Sequence, residues 1–186
     1  MEWTVPGTVL QIPRKDAQQL RQALTALFLG GGIALSQVSA ITGLEPYAVQ
    51  NWVKRGFLPP PEKKRYTLRQ LCRIININML KSVLPMERIC GLIGYVNGQL
   101  DDESDDMIDD SELYFMFVRL AARVGQVHDP EAWDAFITRE MEGYQEPTAG
   151  AAKRVETVLR IMLTAWVSVR LQKKAEQMLC QIEEKE

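Results

Sequence analysis

The sequence predicts a mainly helical protein of two parts, and three observations carry this prediction. Apolar residues recur at helical spacing in every strongly periodic segment, and prolines and glycines separate those segments. Seven of the ten residues 101–110 are Asp or Glu, which marks a change of character along the chain. We therefore predict a first domain over 1–98, a solvated acidic linker over 99–110 and a helical domain over 111–186.

Two helices are predicted at the start of the first domain. The first covers 16–29, with Asp16 as its N-cap, and it ends at the triple glycine 30–32. The second is short, covers 36–42 from a Ser cap, and ends at Gly43, where glycine suits a left-handed C-cap.

A third helix is predicted to begin at Pro46, because proline at a first helical position lacks only an N–H that a helix start leaves unpaired. This helix ends near Arg55, before Gly56. Three consecutive prolines at 59–61 then favour an extended arm, so we predict a small two-stranded wing over 57–66. The wing ends in the basic run Lys63, Lys64, Arg65 and Tyr66.

Two further helices complete the first domain. Thr67 and Gln70 have the spacing of a capping box and begin a helix that reaches about Ser82. Pro85 begins the next helix, which ends at Gly98. Two short helices with a Gly-containing turn, followed by a proline-rich arm and another helix, form the order of elements in a winged helix-turn-helix.

The second domain is predicted to hold three helices, over 111–127, over 129–144 and in a final segment of about 30 residues after Pro147. The final helix is apolar on most sides up to Leu171. A face this broad requires more than one neighbour, and a homodimer through this helix is one way to bury it. Beyond that point the apolar face narrows to Ala175, Met178, Leu179 and Ile182.

The net charge of −2 hides an asymmetry between the two halves of the chain. Residues 1–98 carry 12 Lys and Arg against 5 Asp and Glu, whereas residues 99–186 carry 10 against 19. The basic half suits a polyanion, which the acidic half would repel. Charge counts alone leave open the alternative that the charges only solvate two surfaces.

The third helix is the one that enters the major groove in a helix-turn-helix. Val49, Trp52 and Val53 share its buried face by their spacing, so its polar side chains stay open. Asn and Gln can bond adenine, Lys and Arg can bond guanine or phosphate, and Tyr can bond phosphate. For Tyr66, packing beneath the wing is an equal alternative. We predict double-stranded DNA as the partner, contacted by Tyr47, Gln50, Asn51, Lys54, Arg55, Lys63, Lys64, Arg65, Tyr66 and Arg69.

The residues "LSQVSAITGLEPYAVQNWVKRGFLPPP", the wing end "KKRYTLRQL" and the helix pair "CRIININML" and "LPMERICGLIGYV" resemble the DNA-binding domain of MerR-type transcription regulators. The resemblance extends over 33–97 and is stronger to an uncharacterised bacterial family that joins such a domain to an all-helical part. It implies a cytoplasmic DNA-binding regulator of transcription. The run 50–53 reads Gln-Asn-Trp-Val where those regulators usually carry Arg-Tyr-Tyr-Glu, so the resemblance implies the fold but not the individual contacts.

Other classes of function have little support in the sequence. Neither a Gly-rich phosphate loop nor a nucleophile with a neighbouring base is present, so we expect no enzyme and no cofactor. His128 is the single histidine, and Cys72, Cys90 and Cys180 lack the spacing of a zinc site and suit reduced thiols in helix cores. We predict neither an export signal nor a membrane span.

Two alternatives stay open at this point. The chain could keep a winged-helix shape and act as a protein-interaction adaptor that binds no DNA. The second domain could also receive a small-molecule or protein effector in a cavity, although an aromatic and Met stripe is more often plain core. The residues of that stripe are Trp133, Phe136, Met162 and Trp166.

Overall fold

The computed structural model describes residues 2–100, 102–124 and 130–183, and the protein is mainly helical, as predicted. The α-helices are α1 (Leu20–Ala26), α2 (Leu35–Thr42), α3 (Pro46–Lys54), α4 (Leu68–Leu80), α5 (Met86–Asn97), α6 (Asp110–Val124), α7 (Pro130–Met141) and α8 (Ala151–Glu183). Short 3-10 helices cover Arg14–Gln18 and Glu103–Asp105. Strands β1 (Glu2–Thr4) and β2 (Gln11–Pro13) form an antiparallel pair.

The β1–β2 hairpin was missed by the sequence analysis, because three-residue strands are too short for alternation to be visible. Trp3 is buried in the core from β1. In the turn, Gly7 has a φ of 72°, and a Cβ there would lie 2.5 Å from the carbonyl oxygen of Ile75. Tyr114 of α6 donates a hydrogen bond of 3.0 Å to the carbonyl oxygen of Pro6. The hairpin therefore packs closely over α4 and α6.

The first predicted helix is interrupted in the structure. The chain forms a 3-10 helix before α1, and Asp16 lies inside that 3-10 helix instead of capping the α-helix. Ala17 is buried where the 3-10 helix packs against α6. Leu27 lies beyond the end of α1 and is largely exposed. Tertiary packing on α6 therefore decides the conformation of a segment whose apolar period is continuous in the sequence.

The next four helices agree with the sequence prediction to within two residues at each end. Gly43 ends α2 with a φ of 71°, as predicted for a left-handed cap. The predicted Ser36 cap is wrong, because α2 begins one residue earlier and the side-chain oxygen of Gln37 accepts the N–H of Ala34 at 2.9 Å. Ala40 is exposed, although its spacing predicted an inward position.

The centre of the protein is formed by α4 and α6, which pack against each other, while α8 contacts α5, α6 and α7. The buried apolar residues from both halves of the chain form one cluster. The division of the chain into a domain over 1–98 and a domain over 111–186 stays a prediction. His128 and residue 129, where the seventh helix was predicted to begin, lie outside the described residues. The structure ends α7 at Met141, whereas the sequence predicted an end near residue 144.

The end of α8 extends beyond the core. Its side chains from Leu171 to Ile182 are all exposed, including the thiol of Cys180, which the sequence placed in a core. Leu171, Met178 and Leu179 are among the large apolar side chains exposed there. No helix among the described residues is both long and apolar enough to cross a membrane.

Candidate functional site

The pair α2 and α3 is joined by the three residues 43–45, and the two helices pack against each other. Val49 and Trp52 are buried and Val53 is half-buried, so α3 turns the face predicted from its spacing towards the core. Pro46 is the first residue of the helix, as predicted. The opposite face of α3 is therefore open to solvent over the whole length of the helix.

The open face of α3 presents four of the predicted contact residues. Tyr47 is 72% exposed, and Gln50, Asn51 and Lys54 are also exposed. Among the described residues, Lys54 forms no ion pair. Glu45 is exposed at the N-cap of the helix and adds a negative charge at that end. The face is thus polar throughout and becomes basic towards the C-terminal end of α3.

Arg55 follows α3 and is held by two neighbours. Its guanidinium lies 3.3 Å from a carboxylate oxygen of Glu87 on α5 and 4.6 Å from the ring centroid of Phe57. Both partners in the ion pair are well exposed, so the pair is weak and can exchange for another anion. The structure therefore places Arg55 at the surface, between α3 and the arm that follows.

Residues 57–66, which we call the basic arm, reverse direction in a tight turn from Glu62 to Arg65. The N–H of Arg65 donates to the carbonyl oxygen of Glu62 at 2.7 Å. Lys63 and Lys64, the central residues, have φ values of 46° and 64°. Two left-handed residues suit a two-residue hairpin turn, but each costs a non-glycine residue about 1–2 kcal/mol. The turn therefore carries strain at the position where it presents two exposed lysines.

Asn-Gly would form this turn with less strain than Lys-Lys. Strain of this kind is typically concentrated at functional sites, where the surrounding structure enforces it. Among the described residues, neither Lys63 nor Lys64 forms an ion pair. The two positive charges are accordingly available to a partner outside the chain.

The base of the basic arm is fixed to the chain segment that precedes α2. Ile33 and Tyr66 exchange backbone hydrogen bonds of 3.0 and 2.8 Å in an antiparallel bridge. Gly32 has a φ of 100°, and a Cβ there would lie 2.9 Å from the carbonyl oxygen of Tyr66. Arg65 is exposed and donates to the carbonyl oxygen of Gly32 at 3.2 Å. These contacts fix the position of the arm relative to α2.

Tyr66 does not form part of the open surface. Its side chain is 4% exposed and belongs to the main apolar cluster, and burial raises the pKa of its hydroxyl. Of the two alternatives that the sequence left, packing beneath the arm is the one that the structure shows. The prediction of Tyr66 as a contact residue is therefore corrected.

The proline segment of the arm is held by α4. The side-chain amide of Gln70 donates to the carbonyl oxygens of Pro59 and Pro60 at 3.2 and 3.1 Å. Its side-chain oxygen accepts the N–H of Thr67 at 2.9 Å, which completes the predicted capping box. One side chain thus caps α4 and fixes the arm.

Arg69 was predicted to contact a partner, but the structure places it in a cluster of acidic side chains. It lies 2.6 Å from a carboxylate oxygen of Asp106, with Asp109 and Asp110 within 3.8 Å. Only 19% of its side chain is exposed. Its charge is therefore matched inside the chain, and Arg69 is corrected from a surface contact to an internal partner.

The sequence predicted a solvated acidic linker over 99–110, and the structure differs from this in the second half of the segment. Asp102, Ser104 and Asp105 are exposed, but residues 106–110 pack against the fold. Asp106, Ile108 and Asp110 have side chains that are almost entirely buried. A carboxylate oxygen of Asp110 lies 3.2 Å from Arg73, whose Nε donates to the carbonyl oxygen of Phe57 at 3.3 Å. The segment therefore packs against α4 and, through Arg73, is linked to the base of the basic arm.

Burial governs the protonation of these carboxyl groups. Burial raises the pKa of Asp106 to about 6, although the charge of Arg69 lowers it. Burial also raises the pKa of Asp110, against the lowering effect of Arg73 and Arg69. The sequence contains one signal for this cluster. Arg69 and Arg73 are four residues apart and so share one face of α4, and Arg73 lies inside an apolar series.

Part of the chain matches a family model that describes a domain of unknown function. Residues 33–117 match the family model described as "Domain of unknown function (DUF1836)", which is a little under half of the chain. A Bacillus subtilis (strain 168) protein, "Uncharacterized protein YkrK", is 30% identical over 80 residues, or 41% of this chain and 34% of that protein. The match thus spans about a third of that relative's length. No solved structure matches the chain.

The matched range includes features that the structure places together. It begins at Ile33, at the base of the arm, and ends inside α6 after passing through the acidic segment. The arm, the α2–α3 pair and the acidic cluster therefore fall within one matched unit.

Proposed function

We propose that this protein is a DNA-binding transcription regulator of the winged helix-turn-helix type, similar to the MerR-type regulators. In this proposal α2 and α3 form the helix-turn-helix and the basic arm forms the wing. One observation carries the proposal: the arm that follows α3 ends in a strained two-lysine turn without an ion pair within the described chain, and α3 itself exposes a polar face that becomes basic towards its C-terminal end.

The proposed interface is smaller than the sequence predicted. The face of α3 enters the major groove, where Gln50 and Asn51 read base edges and Lys54 contacts a phosphate. The turn of the wing contacts the flanking backbone through Lys63, Lys64 and Arg65. Tyr66 and Arg69 support the wing and touch no DNA in this proposal.

We further propose that two copies of the chain bind two half-sites. Along α8 the residues Leu171, Ala175, Met178 and Ile182 follow one another at intervals of four, three and four, the spacing of a coiled-coil seam. A second copy of α8 would cover the exposed apolar stripe and set the distance between half-sites.

The test begins by selecting bound duplexes from genomic fragments of the source organism. Their affinity is then measured as a function of salt for the wild type and for a double variant, Lys63→Asn with Lys64→Gly. Because Asn and Gly suit the left-handed turn, this variant removes both charges without breaking the fold. We expect weaker binding and a slope of log K against log salt that is smaller by roughly 2.

The matched control removes two positive charges elsewhere, by Arg139→Gln on α7 and Lys153→Asn on α8. We expect the control to change affinity and salt slope little, and equal losses in both double variants would contradict the proposed wing contact. Asn51→Ala should relax the sequence preference, since base-edge contacts specify and phosphate contacts only position.

The alternative function is a protein-interaction adaptor, and the exposed stripe on α8 is the observation that favours it. An adaptor would bind no duplex even at low salt and would form a stable complex with a partner protein. Failure of every selected fragment to bind, together with such a complex, would replace the DNA-binding proposal.

A further inference from the structure

A cavity of about 600 Å³ opens between the N-terminal hairpin, α4 and α8. None of the residues that line it belongs to α3 or to the basic arm, so it is distinct from the proposed DNA interface. Its volume is within the range of about 300–1,000 Å³ that is usual for small-molecule sites. The aromatic stripe seen in the sequence contributes Trp166 to this cavity, while Trp133 and Met162 are core residues.

Three positive side chains face this space, Arg14 from the hairpin side and Arg170 and Lys173 from α8. Burial lowers the pKa of Arg170, and the charge of Arg14 lowers it further, so the two guanidinium groups repel each other. Within the described ranges, neither arginine forms an ion pair. Glu2 also lines the cavity but lies on the exposed side of β1, where it pairs with neither of them.

Both arginines are held in place by tryptophan rings. The guanidinium of Arg14 lies 5.2 Å from the ring centroid of Trp3, and that of Arg170 lies 4.7 Å from the centroid of Trp166. The two rings pack edge to face at 6.3 Å. A cation–π contact orients a guanidinium but leaves its charge and most of its N–H donors unmatched. The site is therefore positioned in advance and has an excess of positive charge.

The wall of the cavity also contains buried donors without acceptors. Trp3 Nε1 and Arg14 Nε are buried and have no hydrogen-bond partner among the described residues. Buried unsatisfied donors are uncommon in folded proteins and often mark a place that a water or a ligand completes. Because these two nitrogen atoms are closed to solvent, the donors that call for a ligand with acceptors and negative charge are the guanidinium N–H groups that face the cavity.

We propose that this cavity binds a small organic anion, whose carboxylate or phosphate group pairs with Arg14 and Arg170. Arginine offers a planar fork of donors that matches either anionic group. An anion between the two guanidinium groups would also relieve their mutual repulsion. This site goes beyond the proposed regulation of transcription, and its test requires no DNA.

The test uses the four tryptophans as reporters. Protein labelled with ¹⁵N at the indole nitrogens is titrated with citrate or with inorganic phosphate, at an ionic strength kept constant with chloride. We expect at least one probe to shift the indole signals of Trp3 and Trp166 with a Kd of about 1 mM or lower, while Trp52 and Trp133 stay unchanged. The probe that binds identifies the anionic group.

Variants connect the signal to the arginines. Arg170→Gln should weaken binding by about ten-fold or more, because it removes a charge-assisted hydrogen bond. Arg14→Gln serves as a second, independent variant if the first fails to fold. The matched control is Arg154→Gln, which changes an arginine on the same helix that lies 5.0 Å from the ring centroid of Tyr95. The control should bind as the wild type does.

Three results would overturn the proposal. The first is the absence of a saturable shift with both probes. The second is a shift of equal size in all four indole signals. The third is unchanged affinity in a folded Arg170→Gln or Arg14→Gln protein.

Discussion

Replacing Asp110 by alanine removes the buried carboxylate that holds the acidic segment against α4. Asp110 is 1% exposed and the side chain of Arg73 is 8% exposed, with 3.2 Å between Oδ2 and Nη1. Arg69 also lies 3.7 Å from the same carboxylate oxygen. The substitution therefore leaves the buried charge of Arg73 without its ion-pair partner.

Removing one partner of a buried ion pair typically costs about 3–5 kcal/mol. Oδ1 of Asp110 has no hydrogen-bond partner among the described residues, so the ion pair is incompletely satisfied. The loss of stability on removing Asp110 should therefore lie at the lower end of this range. We expect Asp110→Ala to lower the free energy of unfolding by about 3 kcal/mol. The double variant Arg73→Met with Asp110→Leu should lose less than Arg73→Met alone or Asp110→Leu alone, because no unpaired charge is then buried.

The measurement is urea unfolding followed by far-UV circular dichroism for the wild type, Asp110→Ala, the single variants Arg73→Met and Asp110→Leu, and their double variant. The control is Asp134→Ala, which removes an exposed ion pair with Arg160 and should cost about 1 kcal/mol or less. A loss below about 1 kcal/mol for Asp110→Ala, or single losses that simply add in the double variant, would refute the reasoning.

Two further predictions concern the acidic segment and α8. Because burial raises the pKa of Asp106 to about 6, above the usual 3.8, the folded state binds this proton more tightly than the unfolded state. The free energy of unfolding of the wild type, relative to Asp106→Asn, should therefore rise by about 1–2 kcal/mol as pH falls from about 6.5 to about 4, measured by urea unfolding at each pH. Parallel pH profiles for the two proteins would contradict this. Met178→Glu with Ile182→Glu should convert a dimer to a monomer in sedimentation equilibrium, whereas Gln181→Glu, off the seam, should not. A monomeric wild type would remove the proposed seam.

The positions of helix ends could be predicted from the sequence because their signals are local. A proline tolerated at a helix start, a glycine in a left-handed cap and a Thr-x-x-Gln capping box each depend on residues within a few positions. Pro46, Gly43, Thr67 and Gln70 act in the structure as predicted. The exposed face of α3 follows from the same local period, since Val49 and Trp52 leave only one face for the polar residues.

Other parts of the site depended on contacts between residues that are distant in the sequence. Arg69 and Tyr66 have residue types suited to nucleic acid, but one lies beside the acidic segment and the other in the core. The dense acidic run indicated repulsion and solvation, yet Asp110 reaches an arginine 37 positions earlier. Local charge density does not indicate which opposite charges the fold will bring alongside.

The sequence by itself determined the helical class, the order of the helices after Gly32 and the residues on the open face of α3. Only the tertiary structure decided that the second half of the acidic segment is packed, that the hairpin exists and that Arg14 and Arg170 face one cavity. The physical reason is the separation along the sequence over which each kind of interaction acts. Backbone preferences and helical periodicity act over about four residues, whereas these charge and aromatic contacts join segments that meet only when the core assembles.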